Sequence, residues 1–162
     1  MRGVPTVYSG DEQGFVGKGG DQDSRQPLFA SKTVTYNEDR LLGSSNTTAQ
    51  ANFNQQHPLY TTIAKLAKIR RGSTALRRGE TVVRNYAEGP GLFAFSRIDH
   101  VSGEEVLTVI NTSNAPLSAN VEINPKSTVF ESLYGRCPTK PQAPGSVAVD
   151  LLPLDYMICT VK

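Results

Sequence analysis

Seven short runs rich in β-branched and aromatic residues fill the chain after Gly79: Thr81–Tyr86, Leu92–Ile98, Val106–Ile110, Leu117–Ile123, Thr128–Leu133, Val147–Leu151 and Tyr156–Val161. Turn-forming stretches separate them, among them Glu88-Gly89-Pro90-Gly91 and Ser113-Asn114-Ala115-Pro116. Runs this short and this regularly punctuated predict an antiparallel sandwich or barrel. The change of composition near Gly79 predicts a domain boundary there, dividing the chain into 1–79 and 80–162.

The front of the chain has a different grammar. Val4-Pro5-Thr6-Val7-Tyr8 is apolar on both faces and reads as a buried strand of a parallel sheet, ending in the turn Ser9-Gly10-Asp11. A polar stretch from Glu12 to about Asn54 follows without a sustained period of either kind, which marks a functional loop or a disordered one. From His57 to Arg71 the spacing predicts a helix, with Pro58 in the first turn, Leu59, Ile63, Leu66 and Ala67 on one face, and Gly72 as its stop. One strand and one helix do not close an α/β domain, so this front third reads as part of something larger.

Composition narrows the classes. With 38% hydrophobic and 20% charged residues, a chain of 162 residues has the makings of a globular core. No apolar run approaches the roughly 20 residues of a membrane helix, and the N-terminus shows no apolar core of a signal peptide. The net charge of +2 comes from interspersed signs, and the basic excess from Lys65 to Arg78 sits where a helix dipole favours cations, so no nucleic-acid partner is expected. Cys137 and Cys159 have neither a zinc spacing nor a redox motif; two buried free thiols are preferred over one disulfide. His57 and His100 have no nucleophile in a recognisable setting.

The opening Gly3-Val4-Pro5-Thr6-Val7-Tyr8-Ser9-Gly10-Asp11-Glu12 resembles the Gly-x-Pro-x-x-Tyr-x-Gly-x-Glu element on the last barrel strand of the α-amylase family of glycoside hydrolases. Asp21-Gln22-Asp23-Ser24-Arg25-Gln26-Pro27 is similar to the loop after that strand, and His57 through Gly79 to the last barrel helix. Gly91-Leu92-Phe93-Ala94-Phe95-Ser96-Arg97 and Val106–Asn111 resemble the first strands of the family's C-terminal β domain. The resemblance implies a mainly β fold: an antiparallel β-sandwich preceded by a helix and a remnant, strand and loop, of a (β/α)8 barrel.

It also implies a parent enzyme that hydrolyses α-glucosidic bonds with retention, using carboxylates that lie on earlier strands. No catalytic residue is therefore assigned within this chain, which is expected to be inactive alone. Gly3, Pro5, Tyr8, Gly10 and Glu12 are expected to be structural, Glu12 as a hydrogen-bond anchor and Gly10 with Gly14 as turn glycines. The resemblance implies that Arg25, with Asp21 beside it, pairs with a carboxylate and floors the innermost sugar subsite, a role that a planar guanidinium suits; a solvated loop arginine is the equal alternative. Asp21 and Asp23 without a third carboxylate do not make a calcium loop, so neither metal nor cofactor is expected. Tyr8, Tyr86, Phe93 and Phe95 read as core in preference to sugar-stacking residues.

Three alternatives remain beside hydrolysis of an α-glucan by the full-length enzyme. One is a sucrose-cleaving or transglycosylating member of the same family. Another is a non-catalytic β-sandwich module with a structural or carbohydrate-binding role, although the lack of any Trp argues against a starch-stacking platform. The third, a self-sufficient enzyme built on Asp11, Glu12, Asp21 or Asp23, carries little weight, because glycosidic carboxylates must oppose each other across a sugar. A soluble parent, secreted or periplasmic, is expected. In the isolated chain either the residues before about Gln55 are expected to be disordered or the chain to associate through the unpaired opening strand.

Overall fold

A computed structural model describes residues 3–17 and 19–161. The elements run in the order of a 3-10 turn Asp11–Gln13, helices α1 Val34–Asn37, α2 Pro58–Gly72 and α3 Thr74–Arg78, then strands β1 Glu80–Tyr86, β2 Leu92–Ile98, β3 Glu105–Asn111, β4 Leu117–Glu122, β5 Phe130–Tyr134, β6 Ser146–Leu151 and β7 Tyr156–Val161. The described chain divides into two compact units after Lys68, within α2.

The second unit is the sandwich. Strands β1, β2, β3, β7 and β5 form one antiparallel sheet in that order, and β4 pairs with β6 in the other. Alternate residues of the larger sheet face inward: Ala94 on β2 is aligned with Val109 on β3, and Val109 with Met157 on β7. All three are fully buried and meet Val121, Val147 and Val149 from the smaller sheet. Each buried Val or Met among them contributes about 1.5–3 kcal/mol through the apolar surface it removes from water. Seven runs were expected after Gly79 and seven strands form there. Burial alternates along β4 and β6 of the smaller sheet, whereas β2 and β3 are buried along nearly their whole length.

The edge strand β5 follows β7 in register until a shift after Ser132, and the chain beyond it turns back along β7. That return sets Cys137 against Cys159, with Cα atoms 5.9 Å apart, and the two form a disulfide. The preference for free thiols is thus corrected. Twenty-two residues separate the two positions, and only the β5–β7 pairing brings them within bonding distance.

At one end of the larger sheet α3 packs on β2 and β3. Ser73 caps α3, its Oγ accepting from Leu76 N at 3.1 Å. Glu104, from the β2–β3 hairpin, completes the cap: Ser73 Oγ donates to its Oε1 at 2.8 Å and Ala75 N to its Oε2 at 3.1 Å. Orphan donors of the helix start are satisfied by a carboxylate thirty residues away in the chain, a device no local cap motif reveals.

The first unit contains little regular structure. The strand expected at Val4–Tyr8 is not formed; these residues are exposed and unladdered, with Val4 87% accessible. A strand is stabilised by the neighbours that complete its ladder, and the described residues supply none to this segment. The polar stretch after it is ordered irregular chain held by buried Gln13, Gln26, Thr48, Asn52 and His57. Helix α2 starts where expected, with His57 as its cap: Leu59 N donates to Nδ1 at 3.2 Å and Nε2 donates to Leu42 O at 2.9 Å. None of its residues is fully buried, and Leu59, expected on its apolar face, is 37% accessible.

Candidate substrate-side loop

The opening motif folds as a tight hook. Gly10 and Gly14 bracket the 3-10 turn at φ 104° and 75°, a region closed to ordinary side chains. A Cβ at Gly10 would strike the Phe15 ring, and one at Gly14 the carbonyl of Leu42, whose own N–H donates to Gly14 O at 2.8 Å. The two carboxylates between them are spent on the hook itself. Asp11 Oδ2 accepts from Tyr8 N at 2.9 Å and half-buried Glu12 Oε2 from Gly10 N at 3.0 Å. Gly3 and Pro5 lie on the exposed lead-in, and Tyr8 is 58% accessible rather than core.

Gln13 joins this hook to the far end of the loop. Its side-chain amide clasps the backbone of Asn54 in both directions, Nε2 donating to Asn54 O at 3.1 Å and Oε1 accepting from Asn54 N at 3.0 Å. Sequence reading passed over Gln13, Asn52 and Gln26; the available signal was amide side chains beside glycines in a loop too long to be left unsatisfied. An open cleft of about 540 Å³ lies against the hook, lined by Val7, Tyr8, Ser9, Glu12, Tyr60, Ile63 and Ala64.

Arg25 and Asp21 are brought together by the turn at Gly20–Ser24, with Arg25 Nη2 2.5 Å from Asp21 Oδ2. Both are more than half exposed, so the pair contributes little to stability and each remains accessible to another group. Asp23 does not join them in a metal cluster; no group of three or more ligating side chains is found among the described residues. Of the sandwich aromatics, Phe95 is buried and Phe93 half-buried, whereas Tyr86 is 73% exposed at the end of β1.

Fold and loop together define a mainly β protein, an antiparallel sandwich with a helix and an irregular loop before it and no closed barrel among the described residues. The chain is 42% identical to an α-amylase of Streptomyces lividans over 134 residues, 83% of this chain and 15% of that enzyme. Among solved structures it is similar to the debranching enzyme of Nostoc punctiforme, with 29% identity, a TM-score of 0.52, and coverage of 68% of this chain and 22% of that one. The trehalulose synthase MutB of Pseudomonas mesoacidophila shares the fold over 87% of this chain and 26% of its own, at 20% identity and a TM-score of 0.53. No protein-family model matches the chain. The chain belongs to the α-amylase family of glycoside hydrolases and represents its C-terminal region. It spans less than a third of the length of each of these relatives.

Proposed function

We propose that the chain serves a retaining glycoside hydrolase acting on α-glucans, with residues 1–79 completing the catalytic barrel and 80–162 forming the β domain beside it. The likeness to the Streptomyces lividans α-amylase carries this reading, since it covers 83% of the chain. The carboxylates available here support a non-catalytic share of the work. Asp11 and Glu12 each accept a backbone N–H of their own turn and Asp21 faces Arg25, so none is placed opposite another across a sugar-sized gap.

In this reading Arg25 borders the innermost sugar subsite, exchanging Asp21 for a carboxylate or sugar hydroxyls of the assembled enzyme. Gly3, Pro5, Tyr8, Gly10 and Glu12 shape the end of the strand that the barrel completes. The Cys137–Cys159 disulfide fits an oxidising compartment, as for a secreted or periplasmic enzyme.

The test exchanges the matching region of the Streptomyces lividans α-amylase for this chain and follows starch hydrolysis, beside the isolated chain on maltoheptaose. Activity in the chimera with none in the isolated chain is expected, and R25A in the chimera lowers kcat/KM. Turnover by the isolated chain that vanishes on changing Asp11, Glu12 or Asp21 would overturn the proposal.

A further inference from the structure

Strand β5 is the least secured element of the larger sheet. It has a single strand neighbour, β7, and its register on β7 shifts after Ser132. Along β5 only Phe130 is buried; Glu131 and Ser132 are exposed, and Leu133 and Tyr134 are half-buried. Strand β3, by contrast, is paired on both sides and buried along nearly its whole length. An edge strand with so few buried contacts opens to solvent at much lower cost than the centre of its sheet.

The chain after β5 stays close to β7. Gly135, at φ 74°, approaches it so nearly that a Cβ there would lie 2.8 Å from Tyr156 O. Two fastenings flank this approach: the Tyr134 ring stacks on Tyr156, and Cys137 bonds to Cys159. The two sulfurs differ in setting. Cys159 is wholly buried, aligned with Leu107 of β3 on one side and with Ser132 of β5 on the other. Cys137 is half-buried and packs on that core from outside.

This asymmetry governs thiol exchange. With β5 seated, an external thiolate reaches only the Cys137 sulfur. Attack there breaks the S–S bond and sends the electron pair to Cys159 Sγ, which must carry a negative charge in an apolar core until it takes a proton. Exchange is therefore favoured when β5 lifts and water reaches Cys159. With a dithiol reductant the second thiolate then displaces Cys137 from the mixed disulfide. Two thiols appear on the protein, and the reductant leaves as a cyclic disulfide. Strand and bond protect one another: β5 shields the buried sulfur, and the bond restrains β5.

We propose that the Cys137–Cys159 bond is a redox latch on β5. Oxidised, it holds the edge strand on β7. Reduced, the chain keeps the same fold, but β5 and the loop as far as Gly145 open more often and bare Cys159 and the edge of β7. Oxidising surroundings thus close the weakest edge of the sheet, and a thiol-rich compartment leaves it accessible to proteases and to strand pairing.

The experiment compares backbone hydrogen exchange in the full 162-residue chain when oxidised, when reduced with dithiothreitol, and as C137A/C159A, with iodoacetamide labelling of the reduced chain followed in parallel. Amides of β5 are expected to exchange about ten- to a hundredfold faster in the reduced chain and in the variant, while Leu107 and Val109 on β3 keep their protection. Cys137 is expected to be alkylated first, and Cys159 at a rate that follows β5 exchange. The reduced wild type carries the test should the variant unfold. Equal β5 exchange in the oxidised and reduced chains overturns the latch. So does a loss of protection that reaches β3 equally, which would make the bond a fastening of the whole sheet. Alkylation of Cys159 as fast as Cys137 while β5 stays protected overturns the shielding of the buried sulfur and the latch with it.

Discussion

Arg84 on β1 reaches past β2 to Glu105 on β3, its Nη2 2.8 Å from Oε1, inside the end of the sandwich. The register shift between Val83 and Asn85 aims the guanidinium inward, and Ser96 on the intervening strand binds both partners. Glu105 Oε2 accepts from Asn124 N at 3.4 Å, just beyond the end of β4, so one carboxylate links the two sheets. With side chains 10% and 3% accessible, neither ion has water to fall back on.

E105A removes the buried partner of Arg84 and leaves only the exposed Glu122 Oε1, 3.9 Å from Nη1, so it is expected to cost up to about 3–5 kcal/mol by urea denaturation. R84M, which keeps much of the packing, also leaves a lone ion. The double change R84M/E105L is expected to cost less than the sum of the two, because no charge is stranded. Strictly additive losses would mean that the pair is not coupled.

The disulfide closes a segment of 22 residues that includes β6 and the start of β7. Closing a loop of this length restricts the unfolded chain by about 3 kcal/mol in the chain-entropy model. C137A/C159A is therefore expected to unfold at a clearly lower temperature, with the sheet content by circular dichroism unchanged below the transition. Equal melting temperatures for the oxidised and reduced wild type would show that the edge strand β5 is held by its ladder alone.

Tyr134 and Tyr156 stack face to face, with centroids 4.4 Å apart and planes within 2°. Burial first, then hydrogen bonding and charge from Tyr134, and finally Asp155 push the Tyr156 phenol up to about 12. The folded state thus keeps a proton that the unfolded chain gives up near pH 10. The stability associated with that phenol is whole below pH 10 and declines as the pH rises from 10 towards 12. Absorbance titration is expected to show one late tyrosinate step that disappears in Y156F, and Y134F is expected to bring the step to lower pH.

The sandwich was legible because its signal is local: Val147–Leu151 alternates because one face is buried, Leu92–Ile98 is a short β-rich run buried along nearly its whole length, and the turns between carry Gly, Pro and Asn. The Arg84 bulge, the Glu104 cap and the Cys137–Cys159 bond were not legible, since each depends on residues that meet only after the sheet has formed. The Val4–Tyr8 run failed for the complementary reason. Its composition is that of a buried parallel strand, and such a strand exists only with neighbours on both edges. In the loop, Arg25 and Asp21 were picked from the resemblance of their motif, whereas the organising groups are the neutral amides of Gln13 and Asn52, which leave no charge pattern to read.

Gln13 makes the sharpest test of that loop. It is 3% accessible, and one planar amide satisfies both backbone groups of Asn54 across forty-one residues of chain. Q13A removes two hydrogen bonds and leaves the Asn54 pair to find water, at about 1–3 kcal/mol for the buried groups left behind. Q13E keeps the acceptor for Asn54 N but sets a carboxylate oxygen against Asn54 O, so it is expected to be the worse of the two above the carboxyl pKa and to recover below it, as the protonated acid regains a donor. Hydrogen exchange at the Asn54 and Asn52 amides reads this locally. Both amides are expected to exchange faster in Q13A while those of β3 and β7 keep their protection, because the clasp organises the loop and takes no part in the sandwich core. Unchanged protection at Asn54 would show that the ribbon carrying Phe53 is held by Asn52 alone.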